Sequence, residues 1–231
     1  GTESVPKVDV IAGPGNIYVT LAKKEVYGDV GIDMLAGPSE ILIVADNKQD
    51  PDHIAADVLS QAEHDKLSRA IVLTDDRAFA EEVCARVEAR LADLPRRGIA
   101  GCSLENGGGV ILVKDMAEAA ELANAIAPEH LELATENCEE LLPKIRNAGA
   151  VFLGGYTPEP VGDYFAGPDH VLPTGGSARF FEVLNQDIFL RKMSVIRYTP
   201  EALAEDGADI VRLAESEQLI AHGNAIRARR K

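Results

Sequence analysis

The sequence has no tryptophan, and aromatic residues make up only 5% of its 231 residues. Because 46% of the residues are nevertheless hydrophobic, we expect an aliphatic core that can support one sizeable α/β domain and a small appendage. Long apolar runs are also missing, and a run such as residues 41–45 is far too short to cross a bilayer. The composition therefore predicts a globular protein without a transmembrane helix.

Positive charge is in short supply. There are 23 Lys and Arg residues against 38 Asp and Glu residues, which gives a formal net charge of −15. A surface with this excess of negative charge repels phosphate backbones and anionic lipid head groups. We therefore expect neither a nucleic acid nor a membrane among the partners of this protein.

Cysteine is scarce as well. Cys84, Cys102 and Cys138 are odd in number, widely spaced and without a paired metal-ligand spacing. This pattern predicts reduced thiols in the cytoplasm rather than a disulfide framework. No secretory signal precedes the first motif, and the chain begins at Gly1 rather than at Met, so we expect further sequence upstream.

Short apolar segments alternate with amphipathic segments through the middle of the chain. The segments typical of strands are residues 41–45, 70–73, 109–113, 131–134 and 151–153. The segments typical of helices are residues 52–63, 77–94, 116–126 and 138–147. The alternation predicts an α/β fold with a parallel sheet covered by helices on both faces, like an incomplete Rossmann fold. We expect its ligands beyond the carboxyl ends of the strands.

The two ends of the chain differ from this middle part. Residues 17–26 predict a helix that follows a Gly-Pro-Gly-Asn turn at residues 13–16. Residues 156–177 are rich in Gly and Pro and lack periodicity, which predicts a long loop that is functional or disordered. Residues 200–230 predict a small helical appendage of two helices that separate near Glu215.

Two segments place histidine beside another polar residue. Gln61 and His64 are three residues apart, so that on a helix they share one face and can either bind one metal ion or end a solvated helix. Glu129 and His130 stand where a helix gives way to a strand. This pair is either an acid–base pair or two polar residues in a surface turn.

Three further positions carry candidate ligands. Asp163 and His170 lie in the Gly/Pro-rich loop, which is either a functional loop or an ordered connector. His222 follows Glu217 in the tail, where a lone histidine is typical of a solvated surface. The turn at residues 13–16 would let a backbone approach a phosphate, but it is not the Gly-x-Gly-x-x-Gly fingerprint of a dinucleotide fold.

Taken in order along the chain, these segments resemble the histidinol dehydrogenase family. The resemblance is carried by Gly13-Pro14-Gly15-Asn16, Asp33-Met34-Leu35-Ala36-Gly37-Pro38-Ser39-Glu40, Ser60-Gln61-Ala62-Glu63-His64, Pro128-Glu129-His130-Leu131, Gly162-Asp163-Tyr164 through His170-Val171-Leu172-Pro173-Thr174-Gly175-Gly176, Glu217 and Ala221-His222. Each segment alone is a modest signal. All of them in this order are a specific one, and they cover essentially the whole chain.

The resemblance implies a cytoplasmic enzyme of histidine biosynthesis that oxidises L-histidinol to L-histidine with NAD, through a histidinal-level intermediate, and holds one Zn²⁺ per site. The positions that match the zinc ligands are Gln61, His64, Asp163 and His222. The positions that match the catalytic pair are Glu129 and His130. Substrate contacts match Ser39, Gln61, His64, His130, Asp163, His170, Glu217 and His222, and a cofactor contact matches Asn16.

The resemblance also implies a homodimer in which Glu217 and His222 reach into the partner's site. It implies three parts of the chain: residues 1–40 as the end of a cofactor-binding domain, 41–184 as the zinc- and substrate-binding α/β domain, and 185–231 as a small dimerisation domain. Family members have a large N-terminal region that supplies other NAD contacts, so we expect this chain alone to be incomplete. A zinc hydrolase and a non-catalytic fragment that binds zinc and an imidazole ligand remain as alternatives.

Overall fold

The computed structural model describes residues 1–229. The chain divides into two compact units, Gly1–Phe189 and Leu190–Lys231. The elements of the first unit are, in chain order, β1 (Val10–Ile11), α1 (Ile17–Val26), β2 (Gly31–Ile32), β3 (Glu40–Ala45), α2 (Pro51–Ala62), β4 (Arg69–Thr74), α3 (Arg77–Asp93), α4 (Arg97–Gly107), β5 (Gly108–Leu112), α5 (Met116–Ile126), β6 (His130–Ala134), α6 (Cys138–Leu141), β7 (Ala150–Leu153) and α7 (Glu159–Tyr164).

Five parallel strands form the central sheet of the first unit, in the order β5-β4-β3-β6-β7. The predicted parallel α/β fold is thus confirmed. The central strand β3 is buried along its whole length, as expected for a strand with neighbours on both edges and helices on both faces. The short strands β1 and β2 pair in a separate two-stranded parallel sheet.

Alternation along the strands divides the core between the two faces of the sheet. One face buries Ile41, Ile43, Ala45, Ile54, Val58, Ala70, Val72, Phe79, Val83 and Ala134, which join the sheet to α2 and α3. The other face buries Leu42, Val44, Leu73, Val113, Ala119, Ala120, Ala123, Leu131, Leu133 and Leu141, which join it to α5 and α6. Both layers are aliphatic apart from Phe79, as the shortage of aromatic residues predicts.

Local capping explains why α2 and α5 begin where the sequence predicts. Pro51 occupies the first turn of α2, and the side chain of Asp50 accepts a hydrogen bond from the backbone N–H of Asp52. The side chain of Asp115 caps α5 in the same way. At the other end of α5, Ala127 adopts a left-handed conformation with φ of 52°, which stops the helix just before the Glu129–His130 pair.

Three helices differ from the sequence-based expectation. The helix expected over residues 138–147 ends at Leu141 and continues as a 3₁₀ turn over Leu142–Lys144, because Pro143 offers no backbone N–H for an α-helix. Helix α4 was missed since its three glycines lower the helix propensity of the segment. Helix α7 lies inside the segment 156–177, which was predicted to be an aperiodic loop.

The second unit contains α8 (Pro200–Ser216) and α9 (Ile220–Arg227), which match the two predicted tail helices. The chain turns between them at Gln218, where φ is 62°. The guanidinium of Arg227 in α9 forms an ion pair with the Glu215 carboxylate in α8. Across residues 1–229, no helix combines the length and the apolar character that a membrane crossing requires. The three-part division at residues 40 and 184 stays a prediction.

Candidate functional site

A cavity of about 530 Å³ in the first unit brings most of the predicted site residues together. Eight of them line it: Asn16, Ser39, Gln61, His64, Glu129, His130, Asp163 and His170. They come from five separate segments of the chain. Glu217 and His222 belong to the second unit, where both side chains are exposed.

The cavity lies at the amino edge of the sheet. Ser39 directly precedes β3, Glu129 directly precedes β6, and His130 is the first residue of β6. Helix α2 runs back against the strands that it connects, so that Gln61 and His64 also arrive at this edge. The prediction of a site beyond the carboxyl ends was therefore wrong. Ser39, Glu129 and His130 come from the starts of strands, Gln61 and His64 from the end of α2, and Asp163 and His170 from α7 and the segment after it.

Glu40, at the start of β3, organises this edge through three hydrogen bonds. Its backbone N–H donates to Glu129 Oε2 at 2.9 Å, and its carbonyl oxygen lies 3.0 Å from His130 Nδ1. Its side-chain Oε1 accepts from the backbone N–H of Gly175 at 2.8 Å, which ties down the segment after His170. β3 and β6 are neighbours with Ile41 opposite His130, so the pairing of the strands fixes these contacts.

His130 is arranged as a neutral base. A carbonyl oxygen can only accept, so the contact with Glu40 places the ring proton on Nδ1 and leaves a lone pair on Nε2. Nε2 is buried and finds no hydrogen-bond partner among residues 1–229. Burial lowers the pKa of His130, which keeps the ring neutral. A buried, unpartnered lone pair at a cavity wall is what a group that takes up a proton needs.

Glu129 is buried beside His130, with 6% of its surface exposed. The pKa of Glu129 is raised to about 8, mainly by burial and also by the nearby carboxylates of Glu40 and Asp163, against the opposing effect of the hydrogen bond from the Glu40 N–H. A carboxyl group with this pKa exchanges its proton near neutral pH. Glu129 is therefore able to act as an acid or a base at working pH.

One residue of the cavity, Glu159, was missed by the sequence analysis. Glu159 and Asp163 are four residues apart on α7 and share one face of it. The pKa of Glu159 is raised to about 8, first by burial and second by its interaction with the Asp163 carboxyl group. The signal in the sequence was the pair of acidic residues at this spacing after Pro158, but Pro160 and Gly162 disguised the helix.

Two overlapping sets of side chains could hold a metal ion. Gln61 is 4% exposed, and its Oε1 has no hydrogen-bond partner within the described part of the chain. An unsatisfied buried amide typically costs ~1–3 kcal/mol, which a metal ion would relieve. His64 and Asp163 line the same cavity, and with this oxygen they would offer an oxygen and nitrogen set of the kind that suits Zn²⁺. His130, Glu159 and Asp163 form the second set, with ligand atoms within 4.8 Å of one another.

The predicted cofactor segment lies on the rim of the same cavity. Lys23 and Asp33 form a buried ion pair, and both side chains hydrogen-bond to the backbone of Gly13. Lys23 Nζ donates to the Gly13 carbonyl oxygen at 3.0 Å, and Asp33 Oδ2 accepts from the Gly13 N–H at 2.7 Å. Asn16 caps α1, since its Oδ1 accepts from the backbone N–H groups of Tyr18 and Val19. These contacts hold the turn in place, and the Asn16 side-chain oxygen already accepts hydrogen bonds within α1.

Comparison with known proteins gives a consistent result. The family model for histidinol dehydrogenase matches residues 1–230. The chain is 57% identical to the histidinol dehydrogenase of Geobacter metallireducens and 54% identical to that of Bacillus subtilis. Both alignments cover 100% of this chain, but only 53% of the first protein and 54% of the second. The crystal structure of histidinol dehydrogenase from Elizabethkingia anophelis superimposes with a TM-score of 0.91 at 42% identity, over 99% of this chain and 53% of that one. The chain thus spans about half the length of these relatives.

Proposed function

The chain belongs to the histidinol dehydrogenase family, and we propose that it forms the zinc- and substrate-binding part of an enzyme that oxidises L-histidinol to L-histidine with NAD. The observation that carries the proposal is the convergence of eight predicted residues on one cavity. His130, which is neutral and whose Nε2 has no hydrogen-bond partner within residues 1–229, and Glu129, whose pKa is near neutrality, supply the proton chemistry that two successive oxidations need.

We propose Gln61, His64 and Asp163 as zinc ligands, with His222 of a second copy completing the set. We prefer this set to the group with Glu159, because a metal ion on His130 Nε2 would occupy the lone pair that the reaction requires. When bound, zinc would position the imidazole and amine of histidinol, and NAD would accept the hydride. Ser39, His170 and Glu217 are the further substrate contacts in this proposal.

The proposed roles of Glu129 and His130 divide the reaction between them. In the first oxidation, His130 Nε2 takes the proton of the substrate hydroxyl as a hydride leaves its carbon, which gives histidinal. In the second, Glu129 takes a proton from a water molecule whose oxygen adds to the aldehyde carbon. Loss of another hydride then gives the carboxylic acid, which releases its remaining proton to become the carboxylate. Burial of both side chains keeps bulk water from competing for these protons.

The metal assignment is tested by zinc binding to the chain itself. We expect His64→Ala to weaken zinc binding by at least ~10-fold, because losing a ligand should cost no less than losing a residue that merely supports one. His53→Ala is the matched control, since His53 lies at the opposite end of α2 and outside the cavity lining. Competition with a chromophoric chelator measures both. Equal zinc affinities for the two variants would contradict the assignment.

The division of roles is tested by separating the two oxidations. In a full-length enzyme that carries this sequence, Glu129→Ala should slow NADH formation from histidinal by ~10²-fold, the lower end for a positioned acid–base group. NADH formation in the first turnover from histidinol should fall less, because His130 takes that proton. Stopped-flow absorbance with each substrate gives the two rates. An equal loss in both steps would argue against separate roles.

We also propose a homodimer and a cytoplasmic location. The dimer would bring Glu217 and His222 of one copy to the cavity of the other, and analytical ultracentrifugation of the chain tests this association directly. Cys84, Cys102 and Cys138 are all free thiols, which suits a reducing compartment.

A further inference from the structure

A buried carboxyl group in the middle of β6 has no part in the proposed chemistry. Glu132 is 3% exposed and lies between Ile43 of β3 and Phe152 of β7 in the sheet. A carboxyl group among apolar neighbours is destabilising unless its oxygens are hydrogen-bonded. The hydrogen bonds of Glu132 therefore indicate why it is there.

The first of these bonds holds the start of α7. Glu132 Oε1 accepts from the backbone N–H of Glu159, the first residue of α7, at 2.8 Å. The residue before the helix is Pro158, whose side chain has no atom that can cap, so Glu132 supplies the cap from a different strand. Glu132 therefore links the start of α7 to the central sheet.

The second bond holds α2. The carboxyl groups of Glu132 and Asp57 are neighbours whose titrations affect each other, and a hydrogen bond between them requires a shared proton. Burial raises the pKa of Glu132 well above its usual range, and the neighbouring Asp57 carboxylate raises it further. Glu132 is thus the neutral partner. A proton on Glu132 allows its O–H to donate to the Asp57 carboxylate while Oε1 accepts from the Glu159 N–H of α7.

The two helices that Glu132 joins carry the proposed zinc ligands. Asp57 stands four residues before Gln61 on α2, and Glu159 stands four residues before Asp163 on α7, so each contact lies one helical turn from a ligand. Close packing leaves α7 little freedom, since a Cβ on Gly162 would come within 2.7 Å of the Phe152 ring. Packing at Gly162 and the hydrogen bond from Glu159 to Glu132 therefore both hold α7 against the sheet.

We propose that Glu132 is a positioning residue that sets the spacing between α2 and α7, and with it the spacing between Gln61 and Asp163. The inference rests on the proposed function, because it takes Gln61 and Asp163 as metal ligands. Residues that orient metal ligands without touching the metal typically change its affinity ~10- to 100-fold when they are replaced. Glu132 does not contact the proposed ligands themselves. It would act on Asp163 through the start of α7 and on Gln61 through Asp57 of α2.

Two substitutions at position 132 separate positioning from packing. Glu132→Gln retains both hydrogen bonds, because its amide oxygen accepts from Glu159 and its NH₂ group donates to Asp57. Glu132→Met has a similar length and no hydrogen bond to offer. In competition with a chromophoric chelator, we expect Glu132→Gln to bind zinc as tightly as the unchanged chain. Glu132→Met should bind it ~10-fold more weakly, the lower end of the range for residues that orient ligands, because Glu132 acts through α2 and α7.

Two further variants guard against a loss of folding. Leu133→Val perturbs the same strand on its opposite face, and should lower thermal stability without changing zinc affinity. Asp57→Ala removes only the link to α2 at a half-buried helix position, and should weaken zinc binding by part of the Glu132→Met effect. Folded Glu132→Met and Asp57→Ala variants with unchanged zinc affinity would overturn the positioning role. If His64→Ala and Asp163→Ala, each made without a change at position 132, bind zinc as tightly as the unchanged chain, the proposed function is overturned and the inference with it.

Discussion

Replacing His130 by alanine in a full-length enzyme that carries this sequence should slow NADH formation from L-histidinol by ~10²- to 10⁴-fold and leave zinc bound. The reason lies in the two ring nitrogens. Nδ1 faces the carbonyl oxygen of Glu40 and must carry the proton, whereas Nε2 is buried at the cavity wall without a partner among the described residues. Removing the ring removes the base, so that no side chain at this position can accept the proton of the substrate hydroxyl.

The measurement combines steady-state NADH absorbance, zinc content and thermal unfolding of the same samples. Unfolding matters because His130 is 4% exposed and its ring contacts Phe152, so that some loss of stability is expected from packing alone. His53→Ala supplies the control for loss of a histidine outside the cavity. Near-normal turnover in folded, zinc-loaded His130→Ala enzyme would refute the assignment of His130 as the base. Loss of zinc together with activity would instead indicate that His130 is a ligand, as in the group with Glu159 and Asp163.

The fold could be predicted because its signals are local. Helices α2 and α5 begin at caps encoded beside them, Asp50 with Pro51 and Asp115, and the strands are short apolar runs between such helices. Helix α7 was missed for the opposite reason. Its cap is Glu132, which is 27 residues away in sequence and meets Glu159 only through the tertiary structure. A pattern within residues 156–177 could not show this.

The sequence predicted which residues line the cavity better than it predicted where on the sheet the cavity lies. Periodicity shows that strands alternate with helices, but it does not show which edge of the sheet collects the polar groups, and the usual rule for open α/β sheets favours the carboxyl edge. Here Ser39 and Glu129 precede their strands, which places the site at the amino edge. The residues that converge there came from the family resemblance, since only Gln61 and His64 have a spacing that is informative by itself.

Apolar side chains lie exposed close to the predicted cofactor turn. On α1, directly after Asn16, Ile17 is 59% exposed, Tyr18 77% and Leu21 51%. An exposed patch of this kind is typical of a surface that another protein segment covers. Relatives of about twice the length of this chain have further residues that can provide such cover. The surroundings of the cofactor turn are thus the part of the site that we expect to be least complete in the 231 residues.

Purified alone, the 231-residue chain should therefore bind zinc but fail to oxidise L-histidinol with NAD. Asn16 is the only predicted cofactor contact, and its Oδ1 already accepts two backbone N–H groups of α1, so that its NH₂ group is left to bind NAD. A neutral hydrogen bond contributes ~0.5–1.5 kcal/mol net, whereas micromolar affinity requires about 8 kcal/mol. Isothermal titration with NAD should thus show no saturation at micromolar concentrations, and NADH absorbance should stay at the level of a sample without protein. Sustained oxidation of histidinol by this chain would mean that its own residues provide the cofactor contacts, for which the cavity beside Asn16 is then the place to search.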